Sequence, residues 1–460
     1  MSYTKYILSI VVVASIITSC KIGQKYQKPD QPDMPQTFDS RGMPEGSAAD
    51  IGWGTLYTDP DLQKLISQAL DYNKDILIAT ARIKEMAANK RINLANLFPE
   101  IGVDAFGQKE VLDYGGTGTK STPKIRGQMT FAWEVDIWGK LRWANDAGIA
   151  AYMQSVESRR ALQLTIVAQV AQNYFELKAL DRELEIVKQT LEARREGVHF
   201  AKLRYEGGLT SEIPYKQSLV ELARTETLIP NLENDIKLKE NDLFILTGSF
   251  PNGNITRGEN VTRELLPESL PVDLPSSLLK RRPDIILAEQ KLIEANANVG
   301  IAQTDMFPTI KLTGRLGGEN SELTDFLKSP AWFISGALTG PIFNMGKNKA
   351  KHKAAKAAYE QEVYSYEKTV LEAFKEVNNA IITFQKVKEV RQSQEALYKS
   401  AQSYHELAKL QYINGIVNYI DVLDAQRQLF DAEIALNSAN LNELSSVVSL
   451  YKVLGGGLTK

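Results

Sequence analysis

Lys347 to Asn414 reads KNKAKHKAAKAAYEQEVYSYEKTVLEAFKEVNNAIITFQKVKEVRQSQEALYKSAQSYHELAKLQYIN, 68 residues without a glycine or a proline. Within it Val370, Phe374, Val377, Ile381 and Phe384 recur at spacings of 4, 3, 4 and 3, the seam of a helix packed along another helix. At 1.5 Å per residue such a helix reaches about 100 Å, far beyond the usual globular length. Gly415 ends the stretch, and Asn418 to Asp424 (NYIDVLD) reads as the start of a returning helix. The stretch therefore predicts a long helical hairpin.

An internal repeat gives the hairpin its context. Asp75 to Pro99 lies without gaps on Asp284 to Pro308, with nine of 25 positions identical. Gly139-Lys140 matches Gly346-Lys347, and Ala201 to Gly208 matches Ala408 to Gly415. The offset is 209 residues at the first match and 207 at the later two. A unit of this size is much longer than a solenoid repeat. Each copy runs helix, strand, strand, long helix, turn and return helix. In the first copy Leu177, Leu180, Leu184, Val187 and Leu191 carry the heptad seam. Its return helix spans about 213–247, and that of the second copy about 418–454. The fold class expected is mainly α with a small β part, as a duplicated helix–strand–strand–helix unit.

The predicted boundaries follow. Residues 1–19 are a signal peptide and 20–60 an extended, proline-rich segment. The first repeat is 61–248, with strands at about 100–112 and 125–138. A linker with four prolines covers 249–277. The second repeat is 278–460, with strands at about 309–318 and 331–342. Lys5 followed by the short apolar run Tyr6–Ile17 has the form of a secretory signal, too short to span a bilayer. Cys20, the one cysteine of the chain, stands after Ile17-Thr-Ser. Two readings fit it, a bacterial lipobox whose cysteine carries the lipid or an incidental cysteine, and its position favours the first.

The strand segments alternate. Phe131, Trp133, Val135 and Ile137 face one way, against Ala132, Glu134 and Asp136. Ile310, Leu312, Gly314 and Leu316 oppose Lys311, Thr313 and Arg315. Half-buried strands of a soluble sheet would show this pattern, and so would strands of a membrane barrel. Four strands cannot close a barrel, and an open edge cannot sit in lipid. The barrel reading therefore requires several chains, and three would supply twelve strands.

With 54 basic and 56 acidic residues the net charge is −2, which gives no basic footprint for nucleic acid. His199, His352 and His405 are isolated, with no carboxylate or cysteine at ligand spacing. Neither a Ser-His-Asp set nor a phosphate-cradling loop is present, so no cofactor and no enzyme activity are expected.

Taken together, Cys20, Phe131-Ala-Trp-Glu-Val-Asp-Ile-Trp-Gly-Lys140, the duplicated unit, Tyr412-Ile-Asn-Gly415 and Asp421-Val-Leu-Asp424-Ala-Gln resemble the TolC-like outer-membrane efflux family. The similarity is greatest to the lipidated branch that serves tripartite pumps of the resistance-nodulation-division type. It covers nearly the whole mature chain. It implies a homotrimer with a twelve-stranded β-barrel in the outer membrane of a Gram-negative bacterium. A trimeric α-helical tunnel would cross the periplasm to a periplasmic adaptor and an inner-membrane pump. The implied function is passive, gated conduction of drugs or other small toxic solutes. A type I secretion duct of the same fold and a lipid-anchored periplasmic coiled-coil scaffold are the alternatives.

The resemblance also points to residues. Asp421 and Asp424 match aspartates that form acidic rings in the family, and in a threefold pore such rings select cations and gate. On its own terms Asp421 is also three residues from the N-cap candidate Asn418, a capping arrangement. Tyr412 matches a tyrosine that latches the inner helix pair, and it equally suits a packing position. The sequence departs from the pattern at Val417, where a basic latch residue is expected, and at Pro214-Tyr215, where a polar pair is expected.

Overall fold

A computed structural model describes residues 21–29, 50–113, 119–258, 271–272, 275–321 and 330–457, with 35, 38 and 46 as isolated positions. The expected signal peptide and Cys20 lie outside the described residues. The elements in chain order are α1 (Trp53–Leu56), α2 (Pro60–Tyr72), α3 (Lys74–Ala95), β1 (Glu100–Asp113), β2 (Thr119–Val135), α4 (Lys140–Glu206) and α5 (Glu212–Leu246). Then follow α6 (Pro275–Arg281), α7 (Pro283–Thr304), β3 (Thr309–Asn320), β4 (Pro330–Thr339), α8 (Lys347–Ile413) and α9 (Tyr419–Val453). The long helices α4 and α8 have 67 residues each, and the return helices α5 and α9 have 35 each.

The chain forms two compact units. One holds residues 81–156 and 287–368 with the N-terminal segment before residue 32; the other holds 32–80, 157–286 and 369–460. The first contains the sheet, antiparallel in the order β1-β2-β3-β4. Directly paired residues share a face. From Ile101 to Gly107 on β1, and at the β2 positions paired with them, one face is apolar or glycine, and it continues so on β3 and β4 except at Asn320. Ile101 meets Phe131, Val103 meets Met129, Trp133 meets Leu312, and Leu316 meets Trp332. The other face carries Asp104 opposite Gln128, Glu134 opposite Lys311, and Thr313 opposite Ser335. β1 and β4 are the open edges.

Three strand ends differ from the sequence expectation by three residues or more. β2 begins at Thr119, six residues earlier than predicted, and stops at Val135, leaving Ile137 and Trp138 in a turn. Asp136 explains the stop. Its carboxylate accepts hydrogen bonds from the backbone N–H groups of Leu141 (3.1 Å) and Arg142 (3.0 Å), so it caps the first turn of α4. Trp138 donates instead to the Pro308 carbonyl at 2.7 Å and stacks on Phe307. β4 likewise ends at Thr339, three residues short of the predicted 342. The segment read as extended up to residue 60 contains the short helix α1, whose Trp53 and Leu56 are buried. α6 begins at Pro275, inside the predicted linker.

The core lies in the second unit. Leu62, Ile66 and Ala69 of α2 pack with Val170, Tyr174, Phe175 and Leu177 of α4, with Leu243 of α5, and with Val447, Leu450 and Tyr451 of α9. The predicted seam of α8 contributes Val377, Ile381 and Phe384. Phe374 is half-buried against Phe38, ring centroids 5.6 Å apart.

Candidate functional site

Both long hairpins turn in the same way. At the first, Leu209 N–H bonds to the Arg204 carbonyl and Gly208 N–H to that of Tyr205; at the second, Ile416 N–H bonds to Gln411 and Gly415 N–H to Tyr412. This is the Schellman motif, which satisfies the last carbonyls of a helix and needs a left-handed residue. Gly208 at φ +69° and Gly415 at φ +73° supply it, and a side chain at either would be strained.

Around these turns the structure gathers residues from all four long helices. Ala201 of α4 and Tyr419, Val422 and Leu423 of α9 form a small core, with Tyr215 and Tyr412 packed against it. Tyr412 lies on Tyr419 at 5.3 Å between ring centroids. The Arg204 guanidinium sits 4.9 Å over the Tyr412 ring, a cation–π contact between α4 and α8. Tyr205 and Tyr215 stack at 6.3 Å, linking α4 to α5. Burial, with a smaller contribution from Tyr412, pushes the Tyr419 phenol up to about 12.

Asp421 reaches back to its own helix start, where its Oδ2 accepts the Asn418 N–H at 2.9 Å. It thus holds the reciprocal half of a capping box. Asp424 lies on the next turn of α9, and its Oδ2 accepts from Gln428 Nε2 at 2.7 Å. Both carboxylates are half-buried. The structure thus brings Tyr412, Asp421 and the turn together, and gives Asp421 the cap that the spacing suggested.

Farther along the hairpins are groups that the heptad reading passed over. Glu221 of α5 is buried. It pairs with Arg194 of α4 at 3.2 Å and Arg224 at 3.5 Å, and stands 3.8 Å from Arg427 of α9. Arg194 also donates to the Glu221 carbonyl and to Thr225. Arg391 of α8 and Glu443 of α9 form a second buried pair at 2.6 Å. A pattern search that counts charges as solvated faces cannot find such pairs. The only available signal was a charge falling within the apolar register.

None of the three histidines enters the contacts described above. His199 is exposed, and His352 and His405 are half-buried. Among the described residues no three His, Cys, Asp or Glu side chains gather as a metal site, and no helix is long and apolar enough to cross a membrane.

Comparison with known proteins agrees with this architecture. The family model described as outer membrane efflux protein matches twice, over residues 65–249 and 274–456. The probable efflux pump outer membrane protein TtgC of Pseudomonas putida is 31% identical over 466 residues, covering 99% of this chain and 96% of that protein. The cation efflux system protein CusC of Escherichia coli K12 is 30% identical, covering 97% and 98%. The probable outer membrane lipoprotein SilC of Salmonella typhimurium is 29% identical, covering 98% of each. A crystal structure of CusC superposes with a TM-score of 0.87 at 29% identity, over 95% of this chain and all of that one. The chain belongs to the outer membrane efflux protein family. It is an outer-membrane channel component of an efflux system, and its family is one of channels, not of enzymes. The mainly helical fold with a small sheet, expected from the sequence, is the fold of these channels.

Proposed function

We propose that three copies of this chain form one gated duct, through which an inner-membrane pump, joined by a periplasmic adaptor, expels drugs or other small toxic solutes. The observation that carries this reading is the sheet. It has one face that is apolar or glycine over the stretch from Ile101 to Gly107 and its partners on β2, one polar face and two open edges. Lipid does not tolerate an unpaired edge, so such a sheet suits a barrel completed by neighbouring copies, with twelve strands for three. The apolar face then meets lipid and the polar face lines a wet lumen.

The second hairpin also has apolar surface for a neighbour. Outside its buried seam α8 exposes the apolar side chains Leu371, Ile382, Val390 and Leu397. They offer a neighbouring chain an apolar contact.

Passage through the duct is passive, and the chain carries out no catalysis. Asp421 and Asp424 form acidic rings in the trimer that favour cations and restrict the pore. Tyr412, held under Arg204, latches α8 to α4 in place of the basic residue absent at Val417. Exposed Leu209 and Ile213 at one turn, and Ile413 and Ile416 at the other, give the adaptor an apolar contact. After removal of residues 1–19, Cys20 carries lipid that anchors the chain in the outer membrane.

Single-channel conductance in a planar bilayer tests the gate. Replacing Asp421 and Asp424 together by Ala is expected to raise conductance and weaken cation preference. Unchanged conductance and selectivity would remove the acidic rings from the account.

A further inference from the structure

The polar face of the sheet holds an unpaired cation. Three ion pairs neutralise six of its charged side chains: Arg126 with Asp104 at 3.3 Å, Lys124 with Glu319 at 2.7 Å, and Lys311 with Glu134 at 3.7 Å. Arg315, Glu100 and, ten residues farther along β1, Glu110 remain. Arg315 faces Thr130 across β2 and Phe333 across β4. Its diagonal neighbours on the face are Gln128, Ala132, Ala331 and Ser335, none of them charged. Glu100 is on β1 with β2 between them. At about 4.8 Å per strand step the two stand roughly 10 Å apart or more. Among the described residues Arg315 has no ionic or hydrogen-bonding partner, and it is exposed. A surface hollow beside it is bordered by Arg126, Gln128 and Phe333.

We propose that Arg315 forms, in the assembled barrel, a threefold guanidinium ring that binds organic anions on their way out. The inference rests on the trimeric reading above, which turns one free cation into three around a common axis. A guanidinium presents a planar fork that fits a carboxylate, sulfonate or phosphate through two hydrogen bonds. A wet lumen with low-dielectric walls focuses the field of such a ring. Phe333, directly opposite on β4, offers a ring face to the apolar body of the same solute. The ligand class is therefore an amphiphilic anion with one acidic head. This site lies on the strands, apart from the acidic rings assigned to the helix turns, and its sign is opposite to theirs.

The test uses the purified full-length protein in a planar bilayer, with a salt gradient and with benzene-1,3,5-tricarboxylate added from the barrel side. The wild-type channel is expected to be blocked by millimolar tricarboxylate. In Arg315→Gln the block should disappear, and the potassium-to-chloride permeability ratio should rise about fivefold, the factor one unit charge exerts at 4 Å in bulk water. Arg315→Lys, which keeps the charge, should retain the permeability ratio of the wild type. A wild-type channel that conducts but ignores the tricarboxylate overturns the ring while leaving the duct intact. So does an Arg315→Gln channel with unchanged block and permeability ratio. A wild-type protein that conducts nothing overturns the duct reading itself, and the ring with it.

Discussion

The two hairpins are copies of one unit, yet they are finished differently. The first, α4 with α5, is clamped by groups of its own chain. α4 buries a broad face that includes Val167, Val170, Tyr174, Phe175 and Leu177. Buried polar clamps hold the surrounding segments to it. Asp59, the N-cap of α2, accepts from Tyr174 Oη at 2.7 Å and pairs with Lys178, which is 3% exposed. Arg257, beyond α5, pairs with Asp181 of α4 and with Glu240 of α5, which is 1% exposed. The second hairpin has a narrower buried seam on α8 and leaves Leu371, Ile382, Val390 and Leu397 uncovered. After duplication, the two copies bury different faces within the chain.

The comparison breaks most sharply at Asp59. Replacing it by Ala strands the buried Lys178 charge and should cost about 3–5 kcal/mol, read as a lower urea midpoint. Burial pushes the Asp59 carboxyl up, but Tyr174 Oη, the Leu62 N–H and Lys178 outweigh it and hold the carboxyl below its ordinary value. A depressed carboxylate contributes its stability above the ordinary value and loses it as pH falls through the folded value. Unfolding of the wild type should therefore show an acid limb below about pH 4 that Asp59→Asn flattens.

The same comparison predicts the opposite outcome at the second hairpin. Leu371→Glu with Leu397→Glu should leave the stability of the single chain within about 0.5 kcal/mol, as surface changes usually do, while abolishing the trimer in size-exclusion chromatography with light scattering. If the trimer survives, these exposed side chains do not bind a neighbour.

Smaller effects fall at the turns. Arg204→Ala removes the cation over Tyr412, a contact worth about 0.5–1 kcal/mol, and should lengthen open times in single-channel records severalfold. Smallest is the effect of Tyr419. Its phenol is raised by burial, so its contribution is complete below the ordinary tyrosine value and is lost as pH rises to about 12. An absorbance titration should show one fewer late-titrating tyrosine in Tyr419→Phe than in the wild type.

Much of this was readable before the structure. The 207-residue offset between Gly208 and Gly415 locates two turns that prove to share one hydrogen-bond pattern. Strand alternation is legible because lipid or core on one side forces period two. The start of β2 is not, because Thr119 to Lys124 (TKSTPK) is polar and contains Pro123, which ordinarily argues against a strand. Its end was misread because Asp136 fits the alternation while acting as a helix cap. The Glu221 cluster and the Arg204–Tyr412 contact depend on which faces of four helices meet. Spacing along a single helix does not encode that.

The central claim is that three chains make one conducting duct. Native mass spectrometry of the purified, detergent-solubilised protein, taken from the same sample that conducts in bilayers, tests it most directly. The account predicts a particle of three chains as the conducting species. A conducting particle of any other stoichiometry, or a three-chain particle that passes no current, would contradict it.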